Sequence, residues 1–347
     1  MKVLMVGLGG IGQRHVRNLR SLMGSEVDII AFRYRNNLQV LTDQLEIEEG
    51  SNLVEKYAIK VYFDLDQALC QKPDAVFICN PSSLHVPIAL KAAQAGCNLF
   101  IEKPLSHNLE QVEELINIVE SRNIKAVVGY QMRFHPCLMR LHTLIQEQTI
   151  GKVIAVRIEV GEYMPGWHTY EDYRQMYASR KDLGGGVILA QIHELDYICW
   201  LFGFPRRVFA MGGHLSSLDI DVEDTASILM ECDVNGRPIP ISVHMDYVQR
   251  PPSRTCEIIG DTGKIMVDLR ALTINVFDGK GKLSEATSYE GYPRNQLFLD
   301  ELKYFLEYIQ GNDVQLVTVG EAARSLQMAV AVKKSLETAQ EIKLERR

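Results

Sequence analysis

No two cysteines in this chain are spaced Cys-x-x-Cys, and the seven cysteines, at 70, 79, 97, 137, 199, 232 and 256, are odd in number. Several lie inside apolar runs, as Cys79 does after Val76-Phe77-Ile78. That usage predicts reduced, buried thiols in a cytoplasmic protein, not a disulfide framework or a zinc site. No stretch approaches the ~20 apolar residues of a membrane-spanning helix. The apolar start, Met1 to Val6, runs straight into glycines and does not read as a secretion signal. Basic charge is also short. Lys and Arg number 37 against 44 Asp and Glu, a net charge of −7, which leaves no general electrostatic case for nucleic acid or an anionic membrane. A local cationic pocket for one phosphate is still compatible with that balance. There is no Walker A sequence, no GxSxG and no HExxH, which argues against a P-loop ATPase, a serine hydrolase and a zinc hydrolase. No metal centre is expected, and there is neither a low-complexity linker nor an internal repeat.

What is present reads as two domains. The chain has 347 residues, 46% of them apolar and 23% charged, and at ~150 residues per domain that length suggests two units with ordinary globular cores. Over the first part, short continuous apolar runs at 2–7, 27–32, 59–63, 74–80, 98–102 and 125–130 alternate with amphipathic stretches such as 10–23, 83–95 and 109–122. Continuous apolar strands are covered on both faces, and strand–helix alternation predicts a doubly wound parallel sheet. After Tyr130 the texture changes. A helical stretch (136–149) precedes a long strand (153–164), an aromatic and polar loop (165–182) and a helix at roughly 186–201. Mainly antiparallel strands follow over 206–278, then two helices near 295–310 and 319–338. The expected division is 1–128 and 129–347, with a cleft between the halves and the last helices able to pack back on the first.

Gly7-Leu8-Gly9-Gly10-Ile11-Gly12 has the form GxGxxG, follows the first strand directly and opens a helix. The glycines give a tight turn, close approach to a pyrophosphate and close helix–strand packing, while the helix start receives the anion. In this context the motif predicts a dinucleotide site built on Gly7, Gly9, Gly10, Ile11 and Gly12. Sites selective for NAD place an acid ~20 residues further on. Here the strand end reads Phe32-Arg33-Tyr34-Arg35. An acid would repel a 2′-phosphate, whereas Arg33 and Arg35 would pair with one, so NADP(H) is expected over NAD(H).

The sequence resembles the Gfo/Idh/MocA oxidoreductases over nearly its whole length. The resemblance is carried by residues 7–15 (GLGGIGQRH), by 74–106 with Glu102-Lys103-Pro104, by 129–136 (GYQMRFHP) and by 184–196 (GGGVILAQIHELD). It implies a Rossmann domain followed by an α+β domain on an open, mostly antiparallel sheet. It implies hydride transfer between a nicotinamide and an alcohol of a sugar or polyol. It further implies a cofactor lying across Asn80, Pro81, Ser82, His85, Glu102 and Lys103, and a lysine, here Lys103, beside both nicotinamide and substrate hydroxyl. In the family the open sheet commonly pairs subunits, so a homodimer or homotetramer is expected.

Independent chemistry supports Lys103. Oxidising a secondary alcohol removes a hydroxyl proton as hydride leaves, and a lysine at the C-terminal end of a parallel strand lies in the ligand crevice. His193 is expected near the middle of one helix, its apolar stripe formed by Val187, Ile188, Leu195, Ile198 and Cys199, and as the partner of Lys103 in proton transfer. The family pattern has an acid one turn earlier, where this chain has Leu189 and Ala190. Asp172 or Glu171 from the loop could stand in for it, and Asp196 could orient the imidazole. Substrate contacts are expected from Arg133, Tyr163, Trp167, His168, Asp172, Lys181, Gln191 and His193, because aromatic faces with polar edges suit sugar rings. Arg250 and Arg254 are further candidates. The combination resembles family members acting on amino or nucleotide sugars of surface polysaccharides. Two rival readings are a nicotinamide-dependent glycosidase with no net redox change and a catalytically silent, sugar-binding regulator.

Overall fold

A computed structural model of the protein describes residues 1–33, 39–168 and 170–345; Arg35 lies outside them. The first sheet is formed by β1 (Lys2–Val6), β2 (Asp28–Phe32), β5 (Lys60–Tyr62), β6 (Ala75–Ile78), β7 (Asn98–Glu102) and β8 (Ala126–Gly129). Between β2 and β5 lies a small ribbon of β3 (Val40–Leu41) and β4 (Ile47–Glu48). The six strands run β5-β2-β1-β6-β7-β8 and all pair in parallel. Residues 3–6 of β1 and all of β6 are buried. Helices cover both faces, so continuous apolar strands are what this sheet requires. The helices of this half are α1 (Gly10–Met23), α2 (Leu53–Tyr57), α3 (Leu65–Leu69), α4 (His85–Gln94) and α5 (Val112–Ser121).

A short turn at Gln131–Phe134 leads into α6 (Pro136–Gln146) and the second sheet. Its strands are β9 (Val153–Gly161), β10 (Pro205–Gly213), β11 (Thr225–Val234), β12 (Arg237–Asp246), β13 (Ser253–Gly260), β14 (Gly263–Asp268), β15 (Thr273–Asp278), β16 (Leu283–Ser288) and β17 (Ile342–Lys343). They lie in the order β16-β15-β14-β13-β9-β12-β11-β10-β17, antiparallel except where β9 meets β12. Between β9 and β10 the chain forms α7 (Val187–Ala190) and α8 (His193–Phe202); α9 (Gln296–Ile309) and α10 (Val319–Thr338) follow the sheet. The central strands largely alternate. In β11, Ala226, Ile228, Met230 and Cys232 face the core while Ser227 and Leu229 face outward.

The halves share packing. Phe305 of α9 meets Phe77 of β6 and Phe100 of β7 edge-on, with ring centroids 5.5 and 5.4 Å apart. The Val128 N–H donates to the Val317 carbonyl at 2.9 Å, so the segment before α10 extends the edge of the parallel sheet. No helix among the described residues is long and apolar enough to cross a membrane.

Candidate active site

Adjacent strands β1 and β6 form the switch point of the parallel sheet, where such sheets open a crevice at their carboxyl ends. Three strand ends converge on it: Gly7 after β1, Asn80 after β6 and Lys103 after β7. Gly7 has φ +93°, and a Cβ there would stand 2.8 Å from the Cys79 carbonyl. A Cβ at Gly12 would stand 2.2 Å from the Gly7 carbonyl, whereas at Gly9 it would meet nothing within 4 Å. Two glycines thus permit close packing and the third leaves the backbone approachable. The start of α1 has no side-chain cap and no acid in its first turn, so its N–H groups and dipole suit an anion. Tyr170 reaches in, its hydroxyl accepting from the Gly10 N–H, and Leu45 packs beside it. Neither polar atom of the Asn80 amide has a partner. Ile11 packs on the core, and Pro81 precedes a turn in which Ser82 is buried. These residues fit a dinucleotide. Arg33 follows β2 as expected, but it is buried and its backbone N–H donates to the Tyr62 carbonyl at 3.0 Å.

His85 differs from expectation. Its ring lies inside the wall, 1% exposed, with Nε2 2.8 Å from the Asn80 carbonyl and Nδ1 2.8 Å from the Pro104 carbonyl. A neutral ring has one N–H to donate, so it bonds one of these two carbonyls and lies against the other, between the loops that carry Asn80 and Pro104. Burial holds it below the ordinary histidine range. Glu102 is buried too. Its Oε1 meets Nε2 of the fully buried His15 at 2.7 Å, and its Oε2 accepts from the Lys103 N–H at 3.3 Å. The Lys103 ammonium therefore has another partner: Nζ donates to the Ala190 carbonyl at 2.7 Å.

That contact depends on a helix break. The expected single helix is two, α7 and α8, with residues 191–192 between them, so His193 opens α8 instead of lying mid-helix. In a continuous helix the Ala190 carbonyl would take the Glu194 N–H. Here Glu194 N–H goes to the Gln191 carbonyl at 3.3 Å, freeing Ala190 for Lys103. Leu189 is fully buried, so a backbone carbonyl meets the lysine where the family pattern has an acid nearby. His193 is 5% exposed, and its Nε2 lies 3.2 Å from the Gln131 amide. Burial first, then Lys103, Arg254 and Arg294, hold the imidazole well below its ordinary range, hence neutral.

The acids flanking His193 are taken. Asp196 does not orient the imidazole; it holds Arg133 through two contacts of 2.9 Å and accepts from Ser325 at 3.2 Å. Glu194 holds Arg254 at 2.7 and 3.0 Å. Arg133 and Arg254, expected at the substrate, instead pin the start of α8 to the Gln131–Phe134 turn and to β13. Of the loop residues, Tyr163 lies 3.9 Å under the Arg250 guanidinium. Trp167 packs edge-on against Tyr247 and has a buried, unpartnered Nε1. His168 stacks on Tyr170 and meets Glu171 at 2.7 Å. Asp172 caps its own turn and pairs with Arg174, leaving it no role beside His193. Lys181 is exposed, its backbone N–H donating to Asp221. Gln191 lies in the helix break with Oε1 unpartnered. The structure thus gathers Lys103, His193 and Gln191 at the break. Sequence reasoning missed Gln131, His15 and the Ala190 carbonyl. Gln131 stands two residues before the singled-out Arg133, but nothing in its spacing marked it.

The comparisons with known proteins agree with this architecture. Residues 1–130 match the family model described as the oxidoreductase family NAD-binding Rossmann fold, and residues 138–266 match the GFO/IDH/MocA C-terminal domain. The chain is 26% identical to myo-inositol 2-dehydrogenase of Thermotoga maritima, covering 99% of each chain. It is 25% identical to the scyllo-inositol 2-dehydrogenase (NAD(+)) of Bacillus subtilis, over 99% of this chain and 96% of that one. Among solved structures, the WlbA dehydrogenase of Bordetella pertussis, in complex with NADH and UDP-GlcNAcA, superposes with a TM-score of 0.80. That match covers 100% of this chain and 99% of the other at 20% identity, a likeness of fold. With both domain models matched in order, and with the glycine loop, the Glu-Lys-Pro segment and the histidine helix converging on one crevice, the chain belongs to the Gfo/Idh/MocA oxidoreductase family.

Proposed function

We propose that the protein transfers a hydride between a nicotinamide dinucleotide and a secondary alcohol, or its ketone, on a sugar or sugar derivative. The observation carrying this reading is the pairing of Lys103, tethered to the Ala190 carbonyl, with a buried, neutral His193 beside the dinucleotide crevice. When bound, the nicotinamide accepts or supplies the hydride. One Lys103 N–H is spent on Ala190, leaving two to hold the reacting oxygen in place. His193 takes the hydroxyl proton on oxidation and returns it on reduction. A flip of the Gln131 amide, whose Oε1 is unpartnered, serves either imidazole tautomer. With that oxygen turned to Nε2–H, the free lone pair lies on Nδ1, which has no protein partner. The aromatic and polar loop supports an amino or nucleotide sugar as substrate. The absence of an acid at Phe32-Arg33 supports NADP(H) over NAD(H). The apolar outward face of the second sheet supports a homodimer or homotetramer.

The test is Lys103→Ala, assayed at the nicotinamide absorbance over a sugar and nucleotide-sugar panel, with NADPH and NADH titrated separately. Turnover should vanish while cofactor affinity stays within about tenfold, ~1.4 kcal/mol. Normal turnover in the variant overturns the role of Lys103. NADPH binding at least about tenfold tighter than NADH supports the choice of cofactor, and NADH preference reverses it.

A further inference from the structure

Lys103 is joined to the glycine-loop helix through one buried contact. The preceding residue, Glu102, ends β7 and is buried. Its Oε1 lies 2.7 Å from Nε2 of His15, and its Oε2 accepts the Lys103 N–H at 3.3 Å. His15 stands in α1, one turn past Gly12 of the glycine loop, and has no exposed surface. Among the described residues its Nδ1 has no partner, so the contact with Glu102 is the ring's one polar contact. Aromatic rings enclose it. Phe100 lies edge-on at 4.9 Å, Phe77 is tilted at 5.6 Å, and Phe298 of α9 lies edge-on at 6.5 Å.

Phe100 and Glu102, two residues apart in β7, both turn toward His15, as strand geometry requires. The Lys103 side chain goes instead to the second domain, its Nζ on the Ala190 carbonyl. A carboxylate taken out of water is costly unless donors hold it. Here one donor comes from α1 and the other is the backbone of Lys103 itself. Glu301, in α9 between Phe298 and Phe305, is a second buried acid on this side, and its Oε2 has no partner among the described residues. Burial first, then Glu102 and Asp196, push its carboxyl well above the ordinary range, so it stays neutral. Among three phenylalanines, packing alone would be met by a fourth; what the imidazole adds is one directed N–H.

We infer that His15 is a positioning residue: its N–H holds the Glu102 carboxylate, which holds the Lys103 peptide and so fixes where the ammonium stands. The effect on turnover rests on the dehydrogenase reading above. The contact couples α1, which opens at the dinucleotide site, to the lysine that holds the reacting oxygen.

The experiment compares the full chain as wild type, His15→Phe, His15→Gln, Glu102→Gln and the double variant His15→Phe/Glu102→Gln. Phenylalanine keeps the packed ring and loses the donor; glutamine keeps a donor and loses the ring. Three properties are read. Acetylation of the half-buried Lys103 by acetic anhydride is followed by peptide mass spectrometry against the exposed Lys280. NADH and NADPH affinities are titrated, and kcat and KM are measured over the sugar and nucleotide-sugar panel. In His15→Phe the labelling of Lys103 should rise, and kcat should fall at least about tenfold with KM and cofactor affinity within about twofold. His15→Gln should stay near wild type in both. The double variant should lose no more than the worse single variant, because the same chain of contacts is broken once. If His15→Phe does not fold with its carboxylate left without a donor, the double variant, which buries no bare charge, carries the same expectations. Unchanged Lys103 labelling overturns the inference. So does a His15→Gln no better than His15→Phe, which assigns His15 to packing. A loss falling on cofactor affinity alone also overturns it, because His15 then serves the glycine loop. Raised labelling rescued by glutamine, with no sugar turned over by wild type, keeps this inference and rejects the dehydrogenase reading. Sugar turnover equal in wild type and His15→Phe does the reverse.

Discussion

His135 shows how one side chain couples folding to pH. Its Nδ1 accepts the Cys137 N–H at 3.3 Å and caps α6, while its Nε2–H donates to the Leu269 carbonyl at 3.2 Å. The capping lone pair is available only on the neutral ring. Burial, and then the charge of Arg254, push the imidazole down from 6.5 to about 4. The unfolded chain therefore binds this proton more readily than the folded one, and stability is lost as pH falls from about 6.5 toward 4. Thermal unfolding followed from pH 7 to pH 4 should show a falling Tm, and His135→Asn, which keeps a capping side chain, should flatten that fall. An equally steep fall in His135→Asn would assign the effect to other groups. His193 contributes in the same direction, since burial holds it neutral too.

At the scale of elements, the site depends on how α8 is held. Its first turn carries two buried acids, Glu194 and Asp196, each met by an arginine from another element. Removing one partner of such a pair leaves a buried charge uncompensated, at about 3–5 kcal/mol. Arg133→Ala should lower the unfolding free energy from a urea titration by that much, seen as a fall in the midpoint at unchanged m. Arg133→Lys should restore only part of it, because an ammonium lacks the two-pronged fork that meets both Asp196 oxygens. A loss below about 1 kcal/mol would mean that the pair is solvated and does not fix α8. The entry to α7 is constrained as well. Gly186 has φ +109°, and a Cβ there would stand 2.2 Å from the Glu223 carboxylate. Gly186→Ala should destabilise the fold and displace the Ala190 carbonyl, cutting turnover more than cofactor binding. Turnover at the wild-type level in a folded Gly186→Ala would remove that link.

For the whole molecule, the nine-stranded sheet is unequal on its two faces. One face packs against α6, α7, α8 and α10, while the other presents Phe209, Met211 and Leu229, which are 36%, 67% and 53% exposed. Apolar side chains clustered on an open sheet promote association, which charge or a partner must manage. We propose a second copy of the chain as that partner. Leu229→Lys should shift the mass seen by light scattering toward that of a single chain. An unchanged mass, or a wild-type protein that is already monomeric, would reject the homo-oligomer. Leu229 faces away from the core that Ile228 and Met230 enter, so the thermal transition should persist.

The first sheet, the glycine loop, the order of the domains and the two poles of the candidate site, Lys103 and His193, can be read along the chain. These were legible because local spacing encodes them: continuous apolar runs for covered strands, glycines where a Cβ would collide, and a lysine at a strand end. The rest depends on residues far apart in the chain. Ideal helical periodicity ran through 186–201, whereas the fold interrupts the helix so that the Ala190 carbonyl can meet Lys103, 87 residues earlier. Arg133 and Arg254 looked like free cations until their carboxylates were placed beside them, and His85 looked like a ligand until both its nitrogens were found on backbone carbonyls. Pairing is a property of the packed molecule, because whether a charge is spent or available depends on neighbours that no local pattern specifies.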